Sequence, residues 1–411
     1  MKRYYKNLAV VLILMLTLSL FPMTAFGAEE DGDEPIVDSV MLSEETSPDD
    51  DTDLGLADDI LTANESKLVA AADGVLLNPG STIEAANINS ENTGDVYCTP
   101  TASTRSDKYH YSINMPKSGM LMITYYSSKD CSITVNGKLA DTWYSTDENG
   151  IIIRYNFYYF SKADTADMEI EMWYAGNAVV FNATYAPSTV SLSAGKTDKT
   201  YILGRPVDST KVSSFNVKAP YTGYMDIRIK DARNYKTPDY VYYKTSGFKT
   251  FETLSPDDFR RFIGVKKGTY KIKVKSTTPL YIVAVKAKKI KQSKYGNKKK
   301  NAASLKKKSA KKGLIITNSK KAHWYKLRNQ KTQKVTITIN DKLSGGGIGG
   351  LKVSFYNSRF LISSRTIYPE TGSYKLQPYT FGKGKKLEKG TYWIKIESGY
   401  GGNGYFTVKW S

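Results

Sequence analysis

Tyr111-Ser112-Ile113-Asn114-Met115-Pro116, followed by Gly119 and then by Leu121, Ile123 and Tyr125, is the stretch from which the fold is read. Apolar residues alternate on both sides of the proline, the period of a strand with one buried face. The Pro-x-x-Gly between the two runs is expected to turn the chain, because proline fixes φ and glycine admits φ > 0. The pattern returns 104 positions later as Phe215-Asn216-Val217-Lys218-Ala219-Pro220, then Gly223, Met225, Ile227 and Ile229. A third copy lies 110 positions further on, with Tyr325, Leu327, Val335, Ile337 and Ile339, and it carries Gln330 and Gln333 in place of Pro and Gly.

Each copy closes in a related way. Lys267-Gly268-Thr269-Tyr270 leads into Ile272 and Val274, and Lys389-Gly390-Thr391-Tyr392 leads into Ile394 and Ile396. Met168, Ile170 and Met172 form a weaker counterpart in the first copy. A last strand follows at 179–185, 280–286 and 405–410, and Gly399 to Gly404 reads as the loop of a final hairpin. Units of this length with short alternating strands imply an all-β protein of tandem antiparallel β-sandwiches, jelly-roll-like, each burying one face of two sheets. The expected organisation is a signal peptide at 1–27, an acidic spacer at 28–78, sandwiches at 79–187, 188–288 and 313–411, and a lysine-rich linker at 289–312. One short helix is predicted: Ser255-Pro256-Asp257-Asp258 caps and opens a turn running into Phe259-Arg260-Arg261-Phe262.

The closing Gly-Thr-Tyr-x-Ile-x-Val strand at 268–274, together with Trp324-Tyr325-Lys326-Leu327, resembles bacterial pre-peptidase C-terminal (PPC) domains. The resemblance covers 190–288 and 313–411. It implies sandwich modules appended to secreted proteins, with an accessory part in secretion, adhesion or substrate contact and no catalytic residues of their own.

The N-terminus predicts export. Lys2, Arg3 and Lys6 precede an apolar run from Leu8 to Phe21, and Ala25-Phe26-Gly27 places small residues before a cut after Gly27. No later apolar run is long enough to span a bilayer, which takes about 20 residues. The expected location is extracellular, in the medium or associated with the cell wall. Between Ala28 and Glu65 stand 15 acidic residues and no basic one, against a net charge of +19 for the whole chain. Such a stretch reads as a disordered, solvated leader.

From Lys286 to Lys312 there are 13 lysines in 27 residues. Lys298, Lys299, Lys300, Lys306, Lys307, Lys308, Lys311 and Lys312 are the candidate contacts for an anionic cell-wall polymer or polysaccharide outside the cell. The other reading of the same run is a charged, extended spacer between two sandwiches. An exported chain whose lysines lack interleaved aromatics in the sequence gives no reason to expect nucleic acid as the partner. Trp143, Tyr144, Tyr240, Tyr242 and Tyr243 are candidate glycan contacts, although sheets favour aromatics for packing alone. Cys98 and Cys131 make up the cysteine inventory and allow either a disulfide or two thiols.

The sequence offers no motif for catalysis. His110 and His323 are its only histidines, and they fall at equivalent places in the first and third units. No Gly-x-Ser-x-Gly, Cys-x-x-Cys or His-Glu-x-x-His occurs, and Ser344 to Gly350 lacks the Lys-Ser/Thr of a phosphate loop. The reading is therefore a secreted or cell-surface-associated, non-catalytic binding protein that needs no cofactor or metal. A secreted polysaccharide hydrolase with dispersed carboxylates and a purely structural stalk are the alternatives.

Overall fold

The computed structural model describes residues 65–69, 74–90, 94–146, 150–195, 199–206, 212–232, 241–245, 252–254, 260–275, 278–316, 319–344, 350–367, 372–376, 386–399 and 401–411. The signal peptide, most of the acidic spacer and Tyr240 lie outside these residues. Alternation delivers what it predicts: each unit is a pair of mainly antiparallel sheets closed over one apolar core.

The three pairs share one strand order apart from an extra edge strand, Asp141–Thr146, which joins the larger sheet of the first unit, whereas Glu252–Leu254 and Leu361–Ile367 join the other sheet of theirs. In each, a short opening strand joins the next strand in parallel: Thr82–Glu84 on Lys108–Met115, Ser191–Ser193 on Ser213–Ala219, and Ala303–Ser304 on His323–Asn329. The chain then changes sheet, to Gly119–Ser127, Gly223–Asp231 and Ile337–Ser344. The penultimate strand returns beside the long strand before the crossing, as Asp164–Met172 does with Lys108–Met115, and the last pairs antiparallel with the strand after the crossing, as Val179–Pro187 does with Gly119–Ser127.

The Pro-x-x-Gly segments therefore join two sheets, and their glycines are required for a reason other than the expected one. Neither Gly119 nor Gly223 has positive φ. A Cβ on Gly119 would overlap the carbonyl oxygen of Ala186, and one on Gly223 that of Lys288, on the last strand of its own unit. The third unit makes the crossing with side chains. Asn329 Nδ2 donates to the carbonyl oxygens of Leu387 and Glu388, both at 2.8 Å, and Gln333 Nε2 donates to Asn329 Oδ1.

Several expectations are corrected. Residues 65–69 are helical and Leu68 is fully buried, so the spacer does not extend to residue 78. Leu68 packs on the outer face of the first unit's larger sheet, Ser145 Oγ donates to Glu65, and Val75–Leu76 pairs with Tyr97–Cys98. The run 289–312 is not a linker. It supplies Ala303–Ser304 and the first two residues of Lys311–Ile315 to the two sheets of the third unit, and Ala303 and Leu305 to its core. Arg260–Val265 is a strand with Phe262 and Ile263 buried, so no helix runs through Arg260-Arg261-Phe262; residues 255–259 are outside the described set. Gly399 and Asn403 end strands in different sheets, so the loop between them is no hairpin.

The units are also packed together. Met120, Met122, Ile153, Phe157 and Val180 on the outer face of the first unit form one cluster with Ile202, Leu280, Ile282 and Ala284 of the second. This explains why Leu280 to Val285 is continuously apolar: the strand is buried on both faces. The second and third units meet at Tyr224, Phe262 and Leu314, with Tyr405 beside them. Arg260 grips buried Asp226 through Nε (3.0 Å) and Nη2 (2.7 Å), and Gly264 N donates to Asn403 Oδ1 at 2.8 Å across the joint. No helix among the described residues is long and apolar enough to cross a membrane.

Candidate functional site: a lysine-lined groove on the third unit

The lysine-rich segment is held down by a few of its uncharged residues. Tyr295 stacks on His323, and Gly296 and Trp324 exchange two backbone hydrogen bonds of 3.0 and 2.8 Å. A single 3-10 turn at Lys299–Asn301 follows, and Ala303 and Leu305 then enter the core. Lysines between these anchors have no apolar place to go and stand outward.

The result is a shallow groove of about 900 Å³ between this segment and the outer face of the sheet. Lys294, Lys298, Lys299, Lys320, Lys321 and Lys395 line it. Glu397 is the one acidic side chain among the described lining residues, and it pairs with Lys395 at 2.6 Å. Six lysines against one carboxylate, with the Lys299 ammonium turned to the carbonyls of Asn357 and Ser358 outside the lining, leave the groove positive, and a concave wall of one sign focuses its field on whatever enters.

Aromatic rings are interleaved with this charge. In strand register Trp324 stands opposite Lys395, and Lys326 opposite Trp393, which in turn stands opposite Tyr356. Lys299 Nζ lies 4.8 Å from the Trp393 ring centre and 5.5 Å from that of Tyr356. It also donates to the carbonyl oxygens of Asn357 (2.7 Å) and Ser358 (3.1 Å). Lys395 Nζ is 5.9 Å from the Trp324 ring. The expectation of lysines without aromatic neighbours is thus corrected, since the rings at Lys299 come from Tyr356 and Trp393, 57 and 94 residues further along the chain.

Of the eight lysines named from sequence, Lys298 and Lys299 line the groove. Lys306, Lys307 and Lys308 lie by the C-terminus: Lys307 Nζ is 5.7 Å from the Trp410 ring and donates to Gln333 Oε1 at 3.2 Å. Lys308 N donates to Trp410 O at 2.7 Å. Lys311 and Lys312 pair in register with Val408 and Thr407, and Lys300 is exposed outside the lining. Sequence reading missed Lys294, Lys320, Lys321, Lys395 and Trp324 as site residues. The available signals were the Lys320-Lys321 pair just before a strand and the alternation of Trp393 with Lys395 on an outward face.

The other candidates are dispersed. Trp143 packs on Phe157 with ring centres 4.4 Å apart, against the cluster between the first and second units, so it serves packing. Tyr144, its neighbour on this edge strand, is 61% exposed. Tyr242 and Tyr243 lie in Val241–Thr245, opposite Lys275 and Val274. Cys98 and Cys131 lie on different sheets and are not joined in a disulfide, the second of the two states that the sequence allowed. Burial pushes the Cys131 thiol up to about 11, Arg154 and a Ser127 hydrogen bond acting weakly the other way.

The histidines stand one residue apart in the repeat (213 positions against the 214 of Tyr111 and Tyr325) and so face opposite sides of their strands. His110 is exposed beside Asp167 and Glu169, each at 3.3 Å. His323 is buried, and desolvation lowers its pKa to about 4. Among the described residues no group of three or more His, Cys, Asp or Glu side chains is placed to hold a metal ion.

No family model and no curated protein matches the chain. Among solved structures, the crystal structure of tripeptidyl peptidase 2 (TPP II) aligns with 80% of this chain and 32% of its own, at 9% identity and a TM-score of 0.21. This chain spans about a third of that structure's length, and a likeness at this level carries no argument.

Proposed function

We propose that this is a secreted or cell-surface-associated, non-catalytic binding protein, built from three copies of one PPC-like sandwich and attached through its third unit to an anionic polymer of the cell envelope. The observation that carries this reading is the convergence of six lysines from three separate chain segments on one groove. Gathering like charges costs Coulomb energy within the protein, and an anionic chain lying along the groove returns it. The lysine-rich run supports the reading more strongly as a folded wall than it did as a linker. A wall fixes the spacing of its charges, so less ordering remains to be done on binding.

Retention of the mature protein on isolated cell walls tests the proposal. Retention should fall steeply as salt is raised, because each lysine on a polyanion displaces counterions. Combined substitution of Lys294, Lys298, Lys320 and Lys321 by Ala should abolish it, whereas Lys306, Lys307 and Lys308 together should matter less. Retention that ignores salt and the first set of substitutions would overturn the reading.

A further inference from the structure

The composition of the groove narrows its ligand beyond negative charge. We infer that it takes an acidic polysaccharide, one sugar ring lying on the Trp324 indole and the flanking carboxylate or sulfate groups within reach of the lysines; this rests on the polyanion reading above.

Two half-buried rings line the groove, Trp324 and Tyr295. Tyr295 is stacked on His323, while Trp324 has Tyr356 5.2 Å from its ring centre and Lys395 Nζ at 5.9 Å, and the neighbouring Trp393 has Lys299 seated 4.8 Å from its ring centre. An indole in the lining adds nothing for a bare polyphosphate, which has no apolar face. A pyranose has one, in its axial C–H groups, and stacking it on an aromatic ring buries apolar area at low entropic cost. A run of stacked bases needs successive open rings, and here Tyr295 is taken by His323 and Trp393 by Lys299.

The uncharged and acidic lining points the same way. Asn297 and Asn301 are exposed in the lining and bring both amide donors and carbonyl acceptors. Glu397 accepts only, so it takes hydrogen bonds from sugar hydroxyls, which a polyphosphate chain lacks. A sugar acid polymer presents charge, hydroxyl and apolar face in alternation, and the groove offers lysine, Asn or Glu, and Trp324 to match. A groove of about 900 Å³ falls within the usual size of a small-ligand site and suits a few sugar rings.

Titration calorimetry of the full mature chain tests this with four probes: polygalacturonate oligomers, inorganic polyphosphate of matched charge, a neutral galactan and a single-stranded oligonucleotide. Galacturonate oligomers should bind best and the galactan least. Trp324→Ala should weaken galacturonate about tenfold, the loss expected of one stacked ring, and leave polyphosphate nearly unchanged. Trp324→Phe, which keeps a ring and guards against a folding defect, should keep most of the galacturonate affinity. Equal losses for galacturonate and polyphosphate in Trp324→Ala, or an oligonucleotide that binds as tightly as galacturonate, would overturn the sugar assignment while leaving a polyanion site. Failure of every anionic probe to bind would overturn both.

Discussion

Tyr295 and His323 stack face to face, their ring centres 3.7 Å apart and their planes 9° from parallel. One ring belongs to the lysine-rich segment and the other to the first long strand of the third unit, so this contact fixes the wall of the groove to its floor. Phe406 meets the imidazole edge-on at 5.4 Å, and the Tyr325 hydroxyl lies 3.5 Å from Nδ1.

Acid should loosen this joint first. The groups around the imidazole are neutral rings, a phenol and the Leu314 backbone, so His323 is held neutral with a pKa of about 4 against 6.5 when exposed. A base whose folded pKa is depressed stabilises the fold fully above its unfolded pKa and loses that contribution as pH falls toward the folded one. The window is thus pH 6.5 down to 4, and the loss is about 3 kcal/mol across it. Urea titrations at several pH values should show it, and His323→Phe should flatten the profile in that window.

The crossings between sheets should resist any side chain at their glycines. Gly223→Ala drives a methyl group into the Lys288 carbonyl, and backbone must shift to admit it. The cost should be about 1–3 kcal/mol or more, in line with overpacked cores. Gly137→Ala, with φ +68° and nothing within 4 Å of the added Cβ, should cost only the left-handed strain of about 1–2 kcal/mol. Thermal unfolding of the two variants side by side compares them.

The thiols should be countable without reductant. Both cysteines should react with a thiol reagent in denaturant, giving two equivalents per chain. In the folded protein at pH 8, Cys131 should react about a hundredfold more slowly than an ordinary thiol, since burial raises its pKa and reagents need the thiolate. A protein that yields no thiol until reduced would contradict the structure.

Trp143 and Tyr144 should separate packing from exposure. Trp143→Ala removes the partner of Phe157 at the seam between two units and should destabilise by about 2 kcal/mol. Tyr144→Ala should change stability by less than about 0.5 kcal/mol, as surface substitutions do. Chemical denaturation of each variant gives both numbers.

Sequence alone determined the class of the fold, because alternation is a local signal: Ile113, Val217 and Leu327 announce a buried face without reference to anything distant. It also pointed to the lysine-rich run as the place of greatest charge. It misassigned that run as a linker because its anchors are few, Tyr295, Ala303 and Leu305, and their partners His323, Tyr325 and Trp410 are far along the chain. A strand of two residues such as Ala303–Ser304 leaves no periodicity to read. Likewise the continuous apolar run from Leu280 to Val285 signalled burial but could not say what covers the second face.

Only the tertiary structure decided the site. Strand register sets Trp324 against Lys395 and Trp393 against Lys326, and the 3-10 turn carries Lys299 onto two rings. Register depends on hydrogen bonds between segments some 70 residues apart, whereas composition counts lysines without regard to which of them converge. Sequence supplied the charge; packing collected it, with a carboxylate and an indole, into one groove.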